Sequence, residues 1–258
     1  MISVNRQVAA FVIALVPIHG LHAQSAGSDS LAGTGLATLE AHGEQRTGLW
    51  VPRYGTGRPF FNVDDVAFKP WAKALFDARQ QHDLEPHARC KASGAIRQFL
   101  TPYGVEFVEI EELKRLYIFD IGGPHTFREV FMDGRSHPAG LTPSNYGHNI
   151  GWWNGNTLVI DSVGYNEDFW FERSGLPHTE SVHVTEYLTR TDADTIEYRF
   201  VMDDPTAYES PVEGRMTLVW SEGDELFEYV CQQGNYAQDL MVNPDDLKAI
   251  GRTSRIVP

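Results

Sequence analysis

The chain has 258 residues, 42% of them hydrophobic and 22% charged, with a formal net charge of −14 at pH 7. So acidic a chain, with no cluster of Lys or Arg, lacks the basic footprint that meets phosphates, and nucleic acid is excluded as a partner. Its two cysteines, Cys90 and Cys231, are too far apart for a CxxC redox pair and too few for a cysteine zinc cluster.

Residues 1–23 read as an export signal. MISVNRQ carries one Arg and no acid, VAAFVIALVPIHGL is an apolar run, and Leu21-His22-Ala23 suits cleavage before Gln24. Pro17 and His19 interrupt the run and leave it short for a membrane span. The mature protein is therefore expected to be secreted or periplasmic, with no stable membrane insertion after cleavage; a retained anchor is the alternative. Residues 24–45 are rich in Gly, Ser and Ala and should form a flexible linker. Residues 46–258, about 210 positions, suit a single domain with a sizeable core. If Cys90 and Cys231 pair in an oxidising compartment, the disulfide closes a long loop, for which chain entropy gives an upper value of roughly 5 kcal/mol. Two buried free thiols are the alternative.

In KPWAKALFDARQQH, Pro70 suits a first helical position, and Trp71, Ala74, Leu75 and Ala78 recur at helical spacing, which predicts one short helix ending before Pro86. After Pro102 the pattern changes to period two. Strands are predicted over 105–111, 113–120, 125–133, 156–162, 180–190, 195–202, 214–221 and 225–231, with Asn154-Gly155 the strongest hairpin signal. Regular strands with tight connections predict a mainly β fold, an antiparallel meander closing into a lipocalin-like β-barrel; a two-sheet β-sandwich is the alternative.

Alternation assigns faces. Ile196, Tyr198, Phe200 and Met202 form an inner row, as do Met216, Leu218 and Trp220. Applied to HTESVHVTEYLTR (178–190), the same rule sends Val182, Val184, Glu186 and Leu188 inward and His183 outward. Glu228 repeats the arrangement between Leu226 and Val230. A carboxylate in an apolar interior must pair, find hydrogen bonds or take up a proton, and these conditions also prepare a general acid or base. A structural ion pair with Arg97, Arg128 or Arg190 is the competing reading. His183 and Glu186 fall on opposite faces and His178 precedes the strand, so no metal site is assigned to them; one would have to recruit His148 or His125.

A second cluster, NYGHNIGWWNGNTLVID (145–161), sets His148 among glycines and aromatics and puts Asp161 in an apolar strand, where it could orient a histidine or simply face solvent. Catalytic candidates are thus Glu186, His148, Glu228 and Asp161, with His183 joining them only if its strand is bulged. Trp152, Trp153, Tyr198 and Phe200 are expected to line a pocket for a small apolar or aromatic molecule.

PHARC (86–90), GWWNGNTLVIDSVGYN (151–166), HVTEYLTRTDADTIEYRFVMDDPTAY (183–208) and FEYVCQQGNY (227–236) resemble a large family of exported bacterial proteins usually labelled hypothetical. The resemblance spans about residues 47–240; it implies a single unit and export, and brings no reaction with it.

The chain has no GxSxG elbow, P-loop or dinucleotide fingerprint. The chemistry left to carboxylates, imidazoles and aromatic walls is cofactor-independent elimination, isomerisation or cyclisation of a partly apolar or aromatic substrate in a dry cavity inside the barrel. A non-catalytic carrier of an apolar ligand is the rival, and a metal-dependent enzyme the third reading. Full pairing of interior carboxylates by arginine would favour the carrier, and a free carboxylate beside a histidine would favour catalysis.

Overall fold

The structure is a computed structural model and describes residues 48–53, 60–80, 85–122, 126–228 and 231; the expected signal and linker lie outside the described residues. Among the described residues nine strands form one closed barrel in chain order. They are β1 (Gly48–Pro52), β2 (Val105–Ile110), β3 (Arg115–Asp120), β4 (Phe127–Phe131), β5 (His148–Asn154), β6 (Thr157–Val163), β7 (His183–Asp192), β8 (Thr195–Asp203) and β9 (Val212–Glu222). The barrel closes because β9 pairs back onto β1, from Gly48 against Glu222 to Pro52 against Leu218. The fold is the mainly β, lipocalin-like barrel that the alternation implies, and not a sandwich.

Period-two patterning fills the lumen. Leu158 and Ile160 of β6, Val184 and Leu188 of β7, and Ile196, Tyr198, Phe200 and Met202 of β8 are all buried. Each such side chain contributes roughly 1.5–3 kcal/mol relative to exposure. Phe99, on a 3₁₀ turn over Ile96–Leu100, packs 4.8 Å from the Tyr198 ring, and Phe60 packs 4.9 Å from that of Phe200. At the tip of the β5–β6 hairpin Gly155 takes φ +61°, a left-handed conformation that costs a residue with a Cβ about 1–2 kcal/mol.

Three local expectations are corrected. The residues predicted as a strand over 225–231 form none between Glu225 and Glu228, because β1 already occupies the free edge of β9. That first strand was hidden in the sequence by its position after a Gly-rich stretch and by Pro52. Helix α1 (Pro70–Arg79) begins with proline as expected but buries Ala72 and Phe76, leaving Trp71 and Leu75 exposed. Phe76 docks 5.1 Å from Phe68, which sits 5.5 Å from Tyr208, while the Trp71 indole N–H donates to the Thr206 carbonyl at 2.9 Å. The meander is also broken once: β4 and β5 are parallel, with Val130 opposite Asn149 and Phe131 opposite Ile150. Residues 132–147 must therefore run back along the barrel before β5 begins, and this return segment carries His137. Cys90 and Cys231 are joined in a disulfide, with their Cα atoms 5.5 Å apart.

Candidate acid-base site

Inside the barrel, Glu186 is fully buried, as parity required. Its Oε2 accepts from Nη2 of Arg128, itself fully buried, and its Oε1 accepts from the Tyr198 hydroxyl at 2.8 Å. Arg128 also donates through Nε to Asn149 Oδ1 and through Nη2 to Ser162 Oγ, each at 2.9 Å. Burial works against the Arg128 charge, but Glu186 and the neighbouring phenols carry its pKa above the ordinary value. Burial and then Glu186 push the Tyr198 phenol well up, so it stays a donor. Of the other arginines considered, Arg97 pairs with Glu85 at 2.6 Å, and Arg190 donates to the carbonyls of Asp192 and Ala193. Both Glu186 oxygens are thus engaged, Oε2 in a structural ion pair with Arg128 and Oε1 by the Tyr198 hydroxyl.

Glu228 is exposed and lies in no strand, so it is not the second interior carboxylate; the apolar row around it has no sheet edge to join. The four aromatic pocket candidates do not converge either. Tyr198 and Phe200 are lumen core, Trp153 packs against that core, and Trp152 is 46% exposed on the outer face.

The remaining candidates do meet, on the outside. In β5, β6 and β7 the inward positions are Asn149, Ser162 and Val184, so His148, Asp161 and His183 face outward. His183 donates through Nε2 to Asp161 Oδ2 at 2.9 Å, and His137 donates through Nε2 to Asp161 Oδ1 at 2.8 Å. The other ring nitrogen of His137, Nδ1, lies 2.8 Å from His148 Nδ1. Gly147, at φ +63°, turns the chain into β5, and the Phe131 ring stacks on His148 at 4.9 Å. The row stays reachable from solvent: the side chains of His183, Asp161 and His137 are 45%, 21% and 20% exposed.

Proton positions follow from donor and acceptor types. An ionised Asp161 only accepts, so both imidazoles present Nε2–H to it. One proton must then lie between His137 Nδ1 and His148 Nδ1. With both rings neutral it sits on His148, leaving His148 Nε2 with a lone pair.

The electrostatics separate the two ends. Burial, then His137 and Arg135, lower the pKa of His148, while the bond that His183 donates to Asp161 raises its own against a burial penalty. Asp161 is held below the usual carboxylate range: burial opposes this, and the bonds from His183 and His137 outweigh it. An imidazole with a lowered pKa and one with a raised pKa thus stand at opposite ends of one hydrogen-bonded row, with His137 and Asp161 between them. Such divergence of neighbouring groups is how acid and base roles are divided at one pH.

His137 was not legible as a candidate, since only the parallel return brings it over β6; its one sequence signal is its place after the Asp133-Gly134 turn. His178 is buried against Phe169 and Phe171 and donates through Nε2 to the Asn166 carbonyl at 2.7 Å, a structural role. His125 lies outside the described residues. Among the described residues no group of three or more His, Cys, Asp or Glu side chains is arranged to hold a metal ion.

Fold and site together define the class: a closed nine-stranded barrel with an Asp-centred histidine row on its outer wall. Comparison with family models, curated proteins and solved structures returns no match.

Proposed function

We propose that the protein is an exported enzyme performing cofactor-independent acid–base chemistry, of the elimination, isomerisation or cyclisation type, on a small, partly apolar molecule held against the outer wall of its barrel. The observation that carries this reading is Asp161 shared between His183 and His137, with His148 as the next member of the row. His148 Nε2 takes a proton from carbon. Its Nδ1 proton can then pass to His137, whose charge Asp161 balances. His183, with its raised pKa, returns a proton to the leaving or rearranged position. A positioned acid and base of this kind supply about 10²–10⁴-fold in rate. Export is supported by the Cys90–Cys231 disulfide, which persists in an oxidising compartment, and by the amino-terminal sequence. No helix among the described residues is long and apolar enough to cross a membrane.

The test is incubation with a metabolite extract in deuterated water, followed by mass spectrometry. Wild type should consume or deuterate particular small molecules that Asp161→Asn leaves untouched; equal profiles for both proteins would remove the proposal.

Two observations favour the carrier reading, the first being that the interior carboxylate Glu186 is paired by Arg128. A cavity of about 440 Å³ is lined by Phe60, Phe61, Val63 and Leu100 together with Glu172 and Arg173. A carrier would bind an apolar probe there and return it chemically unchanged.

A further inference from the structure

The outer face holds a second feature beside the histidine row. Register places Trp152 of β5 opposite Val159 of β6, Val159 opposite Tyr187 of β7, Tyr187 opposite Arg199 of β8 and Arg199 opposite Arg215 of β9. Two guanidinium groups therefore stand directly across from one another, a placement that repels unless something negative lies between them. In a chain with net charge −14, acidic side chains could easily have filled that need.

They do so only in part. Arg199 Nη1 lies 3.3 Å from one oxygen of Glu213, and its guanidinium carbon lies 4.1 Å over the Tyr187 ring. Arg215, exposed, makes no ion pair with any described residue. Glu197, one row along, accepts from the Thr217 hydroxyl at 3.1 Å. Val159, Tyr187, Thr189, Glu197, Arg199 and Arg215 line a cavity of about 460 Å³, within the range that takes a small molecule.

We infer that this cavity binds an aromatic carboxylate, its anionic group between Arg199 and Arg215 and its ring against Val159 and Tyr187. This binding is independent of the acid–base reading above. Register sets His148 opposite Val163 and His183 opposite Asp203, each four residues from this row, so the two histidines lie roughly 13 Å from it along the strands and the cavity is a site separate from theirs. An arginine–carboxylate bond is charge-assisted and geometrically selective, so a neutral isostere should bind much less well.

Calorimetric titration with 3-phenylpropanoate and 3-phenylpropanamide tests this. Wild type should bind the acid at least about tenfold more tightly than the amide, as one hydrogen bond to a charged group implies. Arg215→Gln should remove that preference, Arg215→Lys should keep part of it, and Asp161→Asn should bind the acid as wild type does. Equal binding of acid and amide, no binding of either, or an acid affinity indifferent to Arg215→Gln would overturn the inference. Because Asp161→Asn is read by binding alone, failure of the catalytic reading leaves this result standing, and the reverse also holds.

Discussion

At the level of single residues, Asp161 sets the behaviour of its neighbours. The bond it accepts raises the His183 pKa, whereas burial, His137 and Arg135 lower that of His148. A rate needing neutral His148 and protonated His183 therefore rises with pH through a value below the ordinary imidazole pKa of about 6.5. It falls again through a value above it, giving a bell that brackets that point. Asp161→Asn removes the charge and should bring the His183 titration down toward about 6.5, read from its ring proton resonances by NMR. An unchanged His183 midpoint would show that the carboxylate is not its partner in solution. Glu186 and His183 teach a complementary lesson. Their opposite faces were readable from alternation, but which face carries available chemistry was not, because that depends on partners from distant strands. The sequence marks a carboxylate in an apolar row without saying that Arg128 neutralises it.

At the level of elements, the Arg128–Glu186 pair ties β4 to β7 across the lumen with Asn149 of β5 and Ser162 of β6. Removing one member strands a buried charge, so Arg128→Leu should lower unfolding stability by about 3–5 kcal/mol in denaturant titration. The double change Arg128→Leu with Glu186→Leu should recover part of that loss; a double variant as unstable as the sum of the singles would contradict a compensated ion pair. Strands β7 and β8 were legible because both alternate and share a tight turn, and β6 because it follows the Asn154-Gly155 hairpin signal. β5 was not, since HNIGWWN mixes polar, small and aromatic residues, and its inward positions are Asn149 and Gly151. The parallel β4–β5 pairing was equally hidden, because no local pattern encodes the direction in which a loop returns. His137, carried by that loop, was lost with it.

For the molecule as a whole, closure of β9 onto β1 leaves the barrel without a free edge, and the disulfide fastens Cys231, beyond the last strand, to the segment between α1 and β2. Reduction should cost about 2–5 kcal/mol, read as a lower denaturation midpoint in dithiothreitol; a midpoint indifferent to reductant would show the link carries no stability. The barrel class and the disulfide partners were within reach of the sequence, since alternation and a cysteine count suffice. The placement of the reactive groups was not, because a closed sheet has two faces and the lumen turned out to be packed with Tyr198, Phe200 and Phe99. Whether the chemistry belongs to the outer wall or to the lumen is settled most directly by comparing His148→Gln with Tyr198→Phe in the same deuterium-incorporation assay. A catalyst on the outer wall predicts a loss of about 100-fold or more for His148→Gln, with Tyr198→Phe close to wild type. Activity retained by His148→Gln and lost by Tyr198→Phe would place the chemistry at Glu186 instead.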